Sequence, residues 1–159
     1  MDPSEIRFAA DRMLGRLARM LRLLGYDTLY DAAITPQKLA ETAHQSGRVI
    51  LTRGAAHKRY PNVPAIFSVK SDNAPEQLRE VVRRFELETH QGLWSRCTLC
   101  NGIIEPIEKG TVAAQVPPKV FDVYERFYRC AACGHVYWQG SHVTRVLKNL
   151  EALLPKEEP

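Results

Sequence analysis

The sequence predicts an α/β protein whose parallel sheet is flanked by helices and is followed by a cysteine-bound unit and a final helix. Short apolar segments alternate with helical repeats through the first 90 residues, two Cys-x-x-Cys pairs follow, and a last helical repeat comes after the second pair. The composition, 45% hydrophobic and 25% charged, is that of an ordinary globular protein. We therefore expect two domains, residues 1–90 and residues 96–154.

The first domain is predicted to alternate strands with helices. Short strands are expected over residues 6–9 and 26–30, and the segment between them has leucines at helical spacing, namely Leu14, Leu17, Leu21 and Leu24. The later elements are, in order, a helix over residues 35–46, a buried strand over 48–52, a strand over 65–69 and a helix that starts near Pro75. Such alternation builds a parallel sheet through right-handed crossovers.

The second domain is predicted from the four cysteines, which are Cys97, Cys100, Cys130 and Cys133. Two Cys-x-x-Cys pairs supply four thiolates, a complete tetrahedral ligand set for a structural Zn²⁺. A disulfide or redox pair is the alternative, and the presence of both pairs together disfavours it. Residues 103–104 and 111–116 suit short antiparallel strands, so we interpret this part as a zinc ribbon, and Ser141 is expected to begin the final helix.

The charge distribution favours a polyanionic partner. The net charge is +4, and residues 1–95 hold 14 Lys and Arg against 11 Asp and Glu. Arg12, Arg16 and Arg19 share one side of the first predicted helix, and Arg22 is expected to extend that line. A solvated helix face is the alternative explanation. Since no apolar run approaches the ~18 residues of a membrane span, a cytoplasmic protein is expected.

Carboxylates that could bind a divalent cation follow the predicted strands. Mg²⁺ and Mn²⁺ take oxygen ligands, and in parallel sheets such ligands gather at the carboxyl edge. Asp11 follows the first strand and Asp72 follows the strand at 65–69, while Asp31 and Glu41 are further candidates. Helix capping is the alternative role for Asp11 and Asp72, and turn formation for Asp31. Spacing alone does not decide between them.

Several strings of residues resemble one family. FAADRMLGRLARMLRLLGYDT at 8–28, RVILTR at 48–53, RCTLCNG at 96–102 and CAACGHVYWQGSH at 130–142 occur in the order found in the Mut-seven C-terminal RNase domain family. The resemblance implies a PIN-like nuclease fold with a C-terminal zinc ribbon, and a ribonuclease that uses Mg²⁺ or Mn²⁺ to cleave RNA internally. It makes Asp11 the first metal-binding acid and Asp72 a late one.

The chain departs from the family pattern at one position. Where the family usually continues Leu-Thr-Arg with an aspartate, this sequence has Gly54. The loss of one carboxylate weakens the binding of a divalent cation, unless Asp31 or Glu41 compensates. The sequence therefore predicts a metal-dependent ribonuclease with weakened or lost catalysis.

RNA binding is expected from cations on the first helix and on the loop after the 48–53 strand, namely Arg12, Arg16, Arg19, Arg53, Lys58 and Arg59. An exposed basic loop without a ligand is the alternative for Lys58 and Arg59. The alternative function is a non-enzymatic adaptor that binds RNA, a ribosome or a protein, and Gly54 is its best support.

Overall fold

The computed structural model describes residues 5–60, 63, 65–90 and 92–153. Its larger part is a four-stranded parallel sheet in the order β2-β1-β3-β4. The strands are β1 (Phe8–Ala10), β2 (Thr28–Leu29), β3 (Val49–Arg53) and β4 (Ile66–Val69). The predicted parallel sheet is therefore confirmed, with β1 and β3 at its centre.

Three helices cover the two faces of this sheet, and they are α1 (Gly15–Leu23), α2 (Pro36–Ser46) and α3 (Ala74–Phe85). Strand residues alternate between the faces, so Phe8 and Leu51 pack with α1 and α3, whereas Ala9 and Ile50 pack with α2. The Thr35 side chain caps α2 by accepting a hydrogen bond from the Lys38 amide at 3.2 Å. A 3-10 turn at residues 12–14 precedes α1.

The cysteine-rich part is an antiparallel sheet of β5 (Ile104–Ile107), β6 (Phe127–Cys130) and β7 (Val136–Tyr137). The strand predicted over residues 111–116 is wrong, because a 3-10 turn (Lys109–Val112) is followed by further turns there. Val112 and Val116 are both buried beside Phe127, while Ala114 between them is exposed. A strand would turn all three side chains to one face. A short helix, α4 (Pro118–Val123), then begins at the proline pair.

The last helix and the first cysteine loop both contact the sheet domain. In α5 (Ser141–Leu153), Leu150 is buried in the core that α1 and α3 form. Arg22 is 3% exposed, so the expectation that it extends the exposed arginine line is wrong. Its guanidinium donates to Thr28 O at 2.9 Å and to Thr98 O and Leu99 O at 3.0 Å. The division into residues 1–90 and 96–154 stays a prediction.

A second group of polar contacts joins the same surfaces. Asn101 accepts a hydrogen bond from the Thr28 amide at 3.0 Å and donates to Asp27 Oδ1 at 2.7 Å. Arg48 donates to both carboxylate oxygens of Asp27, at 2.7 and 3.1 Å. None of the helices in the described part of the chain has the length and apolar character needed to cross a bilayer.

Candidate functional site

A cavity of about 1140 Å³ opens between α1, the start of α3, the connector before the cysteine loop, the ribbon and α5. Its charged lining residues are Arg12, Arg16, Arg19, Arg53 and Asp72. Four predicted RNA-binding arginines therefore surround one space. Arg59 lines a smaller cavity of about 380 Å³ that also contacts Arg53, whereas the exposed Lys58 is not among the residues lining either cavity.

The start of α1 is shaped by a glycine. The Tyr30 hydroxyl donates to the backbone carbonyl of Arg12 at 2.9 Å. A Cβ atom at Gly15 would lie 2.7 Å from that hydroxyl, so only glycine allows the ring to come this close. Arg16 and Arg19 follow on the same helix and are exposed. Tyr30 and Gly15 thus help to form the cavity wall from which the arginines extend.

Asp11 is buried and does not cap the helix that follows it. Its side chain is 3% exposed and makes no capping hydrogen bond. Its Oδ2 atom accepts hydrogen bonds from Thr52 Oγ1 at 3.1 Å and from the Tyr60 hydroxyl at 2.8 Å. Burial and the hydrogen bond to Asp11 raise the pKa of Tyr60 above its usual range, so the hydroxyl remains a donor.

Asp72 lies at the same end of the sheet but has different neighbours. Its exposed carboxylate pairs with Arg53, and the cap of α3 is Asn73, not Asp72. Asp11 thus contacts Thr52, while Asp72 contacts the next residue of β3, Arg53. Because consecutive strand residues point to opposite faces of a sheet, the two carboxylates contact side chains that leave β3 on opposite faces.

The other two candidate acids have local roles. Asp31 Oδ1 accepts a hydrogen bond from the Ala33 amide at 2.8 Å, an arrangement typical of a turn. Glu41 pairs with Lys38 at 3.0 Å on the exposed side of α2. Within the described residues, the only group of three or more His, Cys, Asp or Glu side chains that could hold a metal ion is the cysteine cluster.

Gly54 occupies the position where the resemblance places an acid. It has φ of +56°, and a Cβ atom there would have nothing within 4 Å. The space for a side chain therefore exists, and Asp and Asn are the non-glycine residues that best tolerate this backbone conformation.

The four cysteines form a second candidate site whose geometry fits zinc. All four Sγ atoms lie within 4.8 Å of one another, with Cys97 and Cys133 3.7 Å apart and Cys100 and Cys130 3.4 Å apart. A tetrahedral site with Zn–S bonds of about 2.3 Å requires sulfur separations of about 3.8 Å. The four thiols are free, so this cluster could hold a metal such as zinc.

The environment of Cys97 favours the thiolate that a metal requires. Burial raises the pKa of this thiol, but hydrogen bonds from the Tyr137 hydroxyl and from backbone amides outweigh burial and lower the pKa to about 7. Tyr137 Oη lies 2.9 Å from Cys97 Sγ. The hydrogen bond from Tyr137 therefore favours the thiolate of Cys97, which is the form that binds metals.

The fold and the site define an α/β protein with an arginine-lined cavity and a four-cysteine ribbon. The model of the Mut7-C RNAse domain matches residues 6–150, and the chain belongs to this family. The human protein named exonuclease mut-7 homolog is 38% identical over 101 residues, which cover 60% of this chain and 12% of that protein. The chain thus matches only a small part of this relative.

The sequence analysis did not identify several residues of the site. Thr52 and Tyr60 bind Asp11, and Trp94 and Tyr137 line the cavity. The aromatic residues that flank the two cysteine pairs were the available signal for the cavity wall. No sequence signal identified Tyr60, because this residue lies outside any helical or strand repeat.

Proposed function

We propose that this protein binds RNA in the arginine-lined cavity and that its metal-dependent ribonuclease activity is weakened by Gly54. The observation that carries the proposal is that Arg12, Arg16, Arg19 and Arg53 line one cavity with a single acid, Asp72. Membership of an RNase domain family supports RNA as the polyanion. The exonuclease activity in the name of the human relative belongs to that protein, whereas the resemblance favours internal cleavage here.

The arginines suit phosphate recognition. Guanidinium groups make paired hydrogen bonds to phosphate oxygens, and they remain charged at any physiological pH. Arg16 and Arg19 are three residues apart on α1 and share one side of it, and Arg12 in the preceding 3-10 turn lines the same cavity, so the three can contact successive phosphates. Arg53 is neutralised in part by Asp72, which leaves Arg12 and the two α1 arginines as the main phosphate contacts.

The acids support weakened cleavage. The resemblance implies that Asp11 and Asp72, with Asp31 or Glu41, would hold Mg²⁺ or Mn²⁺, which would supply activation of water for attack on phosphorus. Asp11 already accepts two hydrogen bonds, and Asp72 is paired with Arg53. The remaining two acids are engaged in a turn and on the surface of α2.

The ribbon has a structural role in this proposal. Zn²⁺ bound by the four cysteines would fix the loop of residues 97–101 against Arg22 and Asp27. That loop and β7 supply Thr98 and Tyr137 to the cavity. Zinc therefore stabilises a wall of the RNA-binding cavity and takes no part in cleavage.

A second candidate function is an adaptor that binds RNA, a ribosome or a protein without cleaving anything. It is favoured by the fact that the acidic residues in the described ranges form no three-ligand group. RNA binding is common to both candidates, so the decisive question is whether cleavage occurs and responds to position 54.

The test compares the wild type with Gly54→Asp and the matched control Gly54→Asn. Both substitutions fit the open space and the positive φ, but only the aspartate adds a carboxylate. Each protein is incubated with labelled single-stranded RNA in buffer with and without added Mn²⁺. A chelator is avoided because it would also remove metal from the cysteines.

We expect salt-sensitive RNA binding by all three proteins and Mn²⁺-stimulated cleavage that is at least about tenfold faster in Gly54→Asp, corresponding to about 1.4 kcal/mol of transition-state stabilisation. No RNA binding by the wild type would reject the proposal. Binding without cleavage by any variant would leave the adaptor function. Equal cleavage by the Asp and Asn variants would show that position 54 is not a ligand position.

A further inference from the structure

The arginine-lined cavity also has an aromatic part. Trp94 in the connector and Tyr137 of β7 both line it. Their rings meet edge to face, with centroids 6.4 Å apart and an angle of 65° between the planes. The cavity therefore combines guanidinium groups from α1 with two aromatic rings from outside the parallel sheet.

Trp94 is held in an unfavourable backbone conformation. Its φ is +67°, which is rare for a bulky residue. Its amide donates to Leu23 O at 3.3 Å. A Cβ atom on Gly25 would lie within 2.2 Å of Gly92 O, so the two glycines let the connector pass directly against the end of α1. Such strain persists only where the surrounding structure imposes it, and it is concentrated at functional sites.

The indole of Trp94 has an unused donor. Its Nε1 atom is buried and has no hydrogen-bond partner among the described residues. Buried donors are nearly always paired in folded proteins, so an unpaired one next to a cavity needs an explanation. Since this atom is closed off from solvent, a ligand would reach it only if the indole turned toward the cavity, where carbonyl or ring nitrogen atoms of a nucleobase are acceptors of the required kind.

Tyr137 is fixed by the cysteine cluster. Its hydroxyl lies 2.9 Å from Cys97 Sγ and 3.4 Å from Thr98 Oγ1. The ring therefore keeps its position when the cysteine loop is ordered. A rigid aromatic surface loses little entropy when a base stacks on it, which favours affinity.

We propose that Trp94 and Tyr137 form a nucleobase subsite, through which the connector and the ribbon hold a base of a single-stranded RNA whose phosphates contact the α1 arginines. This inference rests on the proposed function, because the same cavity supplies the phosphate contacts. Bases must be unpaired to stack on protein aromatic rings. The cavity of about 1140 Å³ also exceeds the ~300–1,000 Å³ of typical small-molecule sites, in agreement with a polymer segment.

The test uses the purified protein with its metal and two RNA probes of equal length. One is single-stranded oligouridylate, and the other is the abasic ribose-phosphate chain that has the same phosphates and no bases. Affinities are measured without added Mn²⁺. Because stacking is worth about 1–3 kcal/mol per base, we expect the abasic chain to bind roughly 5- to 150-fold more weakly.

Fluorescence locates the contact. The chain has two tryptophans, and Trp138 belongs to the ribbon cluster around Phe127 and is not among the residues lining the cavity. The Trp138→Phe variant retains Trp94 as its single tryptophan. If its tryptophan fluorescence is quenched by oligouridylate and not by the abasic chain, a base stacks on Trp94. Tyr137→Phe, which retains the ring, is expected to keep the preference for oligouridylate, and Tyr137→Leu to reduce it. Metal content is compared between these two variants, since both lose the hydroxyl beside Cys97.

The outcomes separate the two proposals. Equal affinity of the wild type for both probes, with no quenching by either, would overturn the nucleobase subsite and leave RNA binding by the arginines intact. Binding of neither probe would overturn both. Arg16→Gln is expected to weaken the binding of both probes by the same factor. If this variant lost affinity for oligouridylate alone, the assignment of the phosphate contacts to α1 would be contradicted.

Discussion

Arg22→Met tests whether the ribbon is held on the sheet domain by one buried arginine. The substitution keeps an apolar chain of similar length and removes hydrogen bonds to Thr28 O, Thr98 O and Leu99 O. Hydrogen bonds that involve a charged group contribute about 1.5–3 kcal/mol each. The loss is expected to be smaller than the sum of these hydrogen-bond energies, because burial removes water from the guanidinium. This desolvation destabilises the charged form and lowers the pKa of Arg22.

We expect the free energy of unfolding to fall by about 3–4 kcal/mol, a large part of the ~5–15 kcal/mol that stabilises a typical domain. It is measured by urea denaturation of the metal-loaded protein. Release of metal to a chelator should also be faster, since the carbonyls of Thr98 and Leu99 lie between Cys97 and Cys100. Arg19→Met, at an exposed position of α1, is the control and should change stability by less than ~0.5 kcal/mol.

The reasoning would be refuted by an Arg22→Met protein that is within about 1 kcal/mol of the wild type and releases metal at the same rate. That result would mean that water replaces the guanidinium at the three carbonyls and that the ribbon is held by other contacts. Arg22→Lys should give an intermediate loss, because lysine retains the charge but cannot direct donors to three carbonyls at once.

Two further predictions concern the acids. Tyr60→Phe removes the 2.8 Å hydrogen bond to Asp11 and should lower the free energy of unfolding by about 1.5–3 kcal/mol in urea denaturation; an unchanged value would show that the hydroxyl does not stabilise the buried carboxylate. Burial raises the pKa of Asp27, but hydrogen bonds from Arg48 and Asn101 outweigh burial and lower it. Its contribution to stability is therefore present above the ordinary aspartate pKa of about 3.9 and is lost as pH falls through the lower pKa of the folded state. The difference in melting temperature between the wild type and Asp27→Asn should shrink below about pH 4, and a constant difference would exclude this linkage.

The sequence determined the strands and helices of the parallel-sheet part and the cysteine site because both depend on local spacing. Leucines at helical intervals, apolar strand segments and capping residues such as Thr35 favour their structures wherever the chain goes. The parallel order of the strands then follows from alternation with helices. Two Cys-x-x-Cys pairs similarly carry most of the ligand geometry within themselves, so the cluster of four thiols was predictable. The family could also be predicted from the sequence, since the resemblance rests on short sequence motifs.

Only the tertiary structure decided what the polar side chains do. Arg22 has the same spacing as the exposed arginines of its helix, yet it is buried because the ribbon brings three carbonyls to that position. Asp11 and Asp72 both follow strands, but the alternation of β3 sends their contacts to opposite faces. Trp94 joins the cavity only because Gly92 and Gly25 let two distant segments touch. These roles depend on contacts between residues far apart in the chain, which spacing along the sequence does not specify.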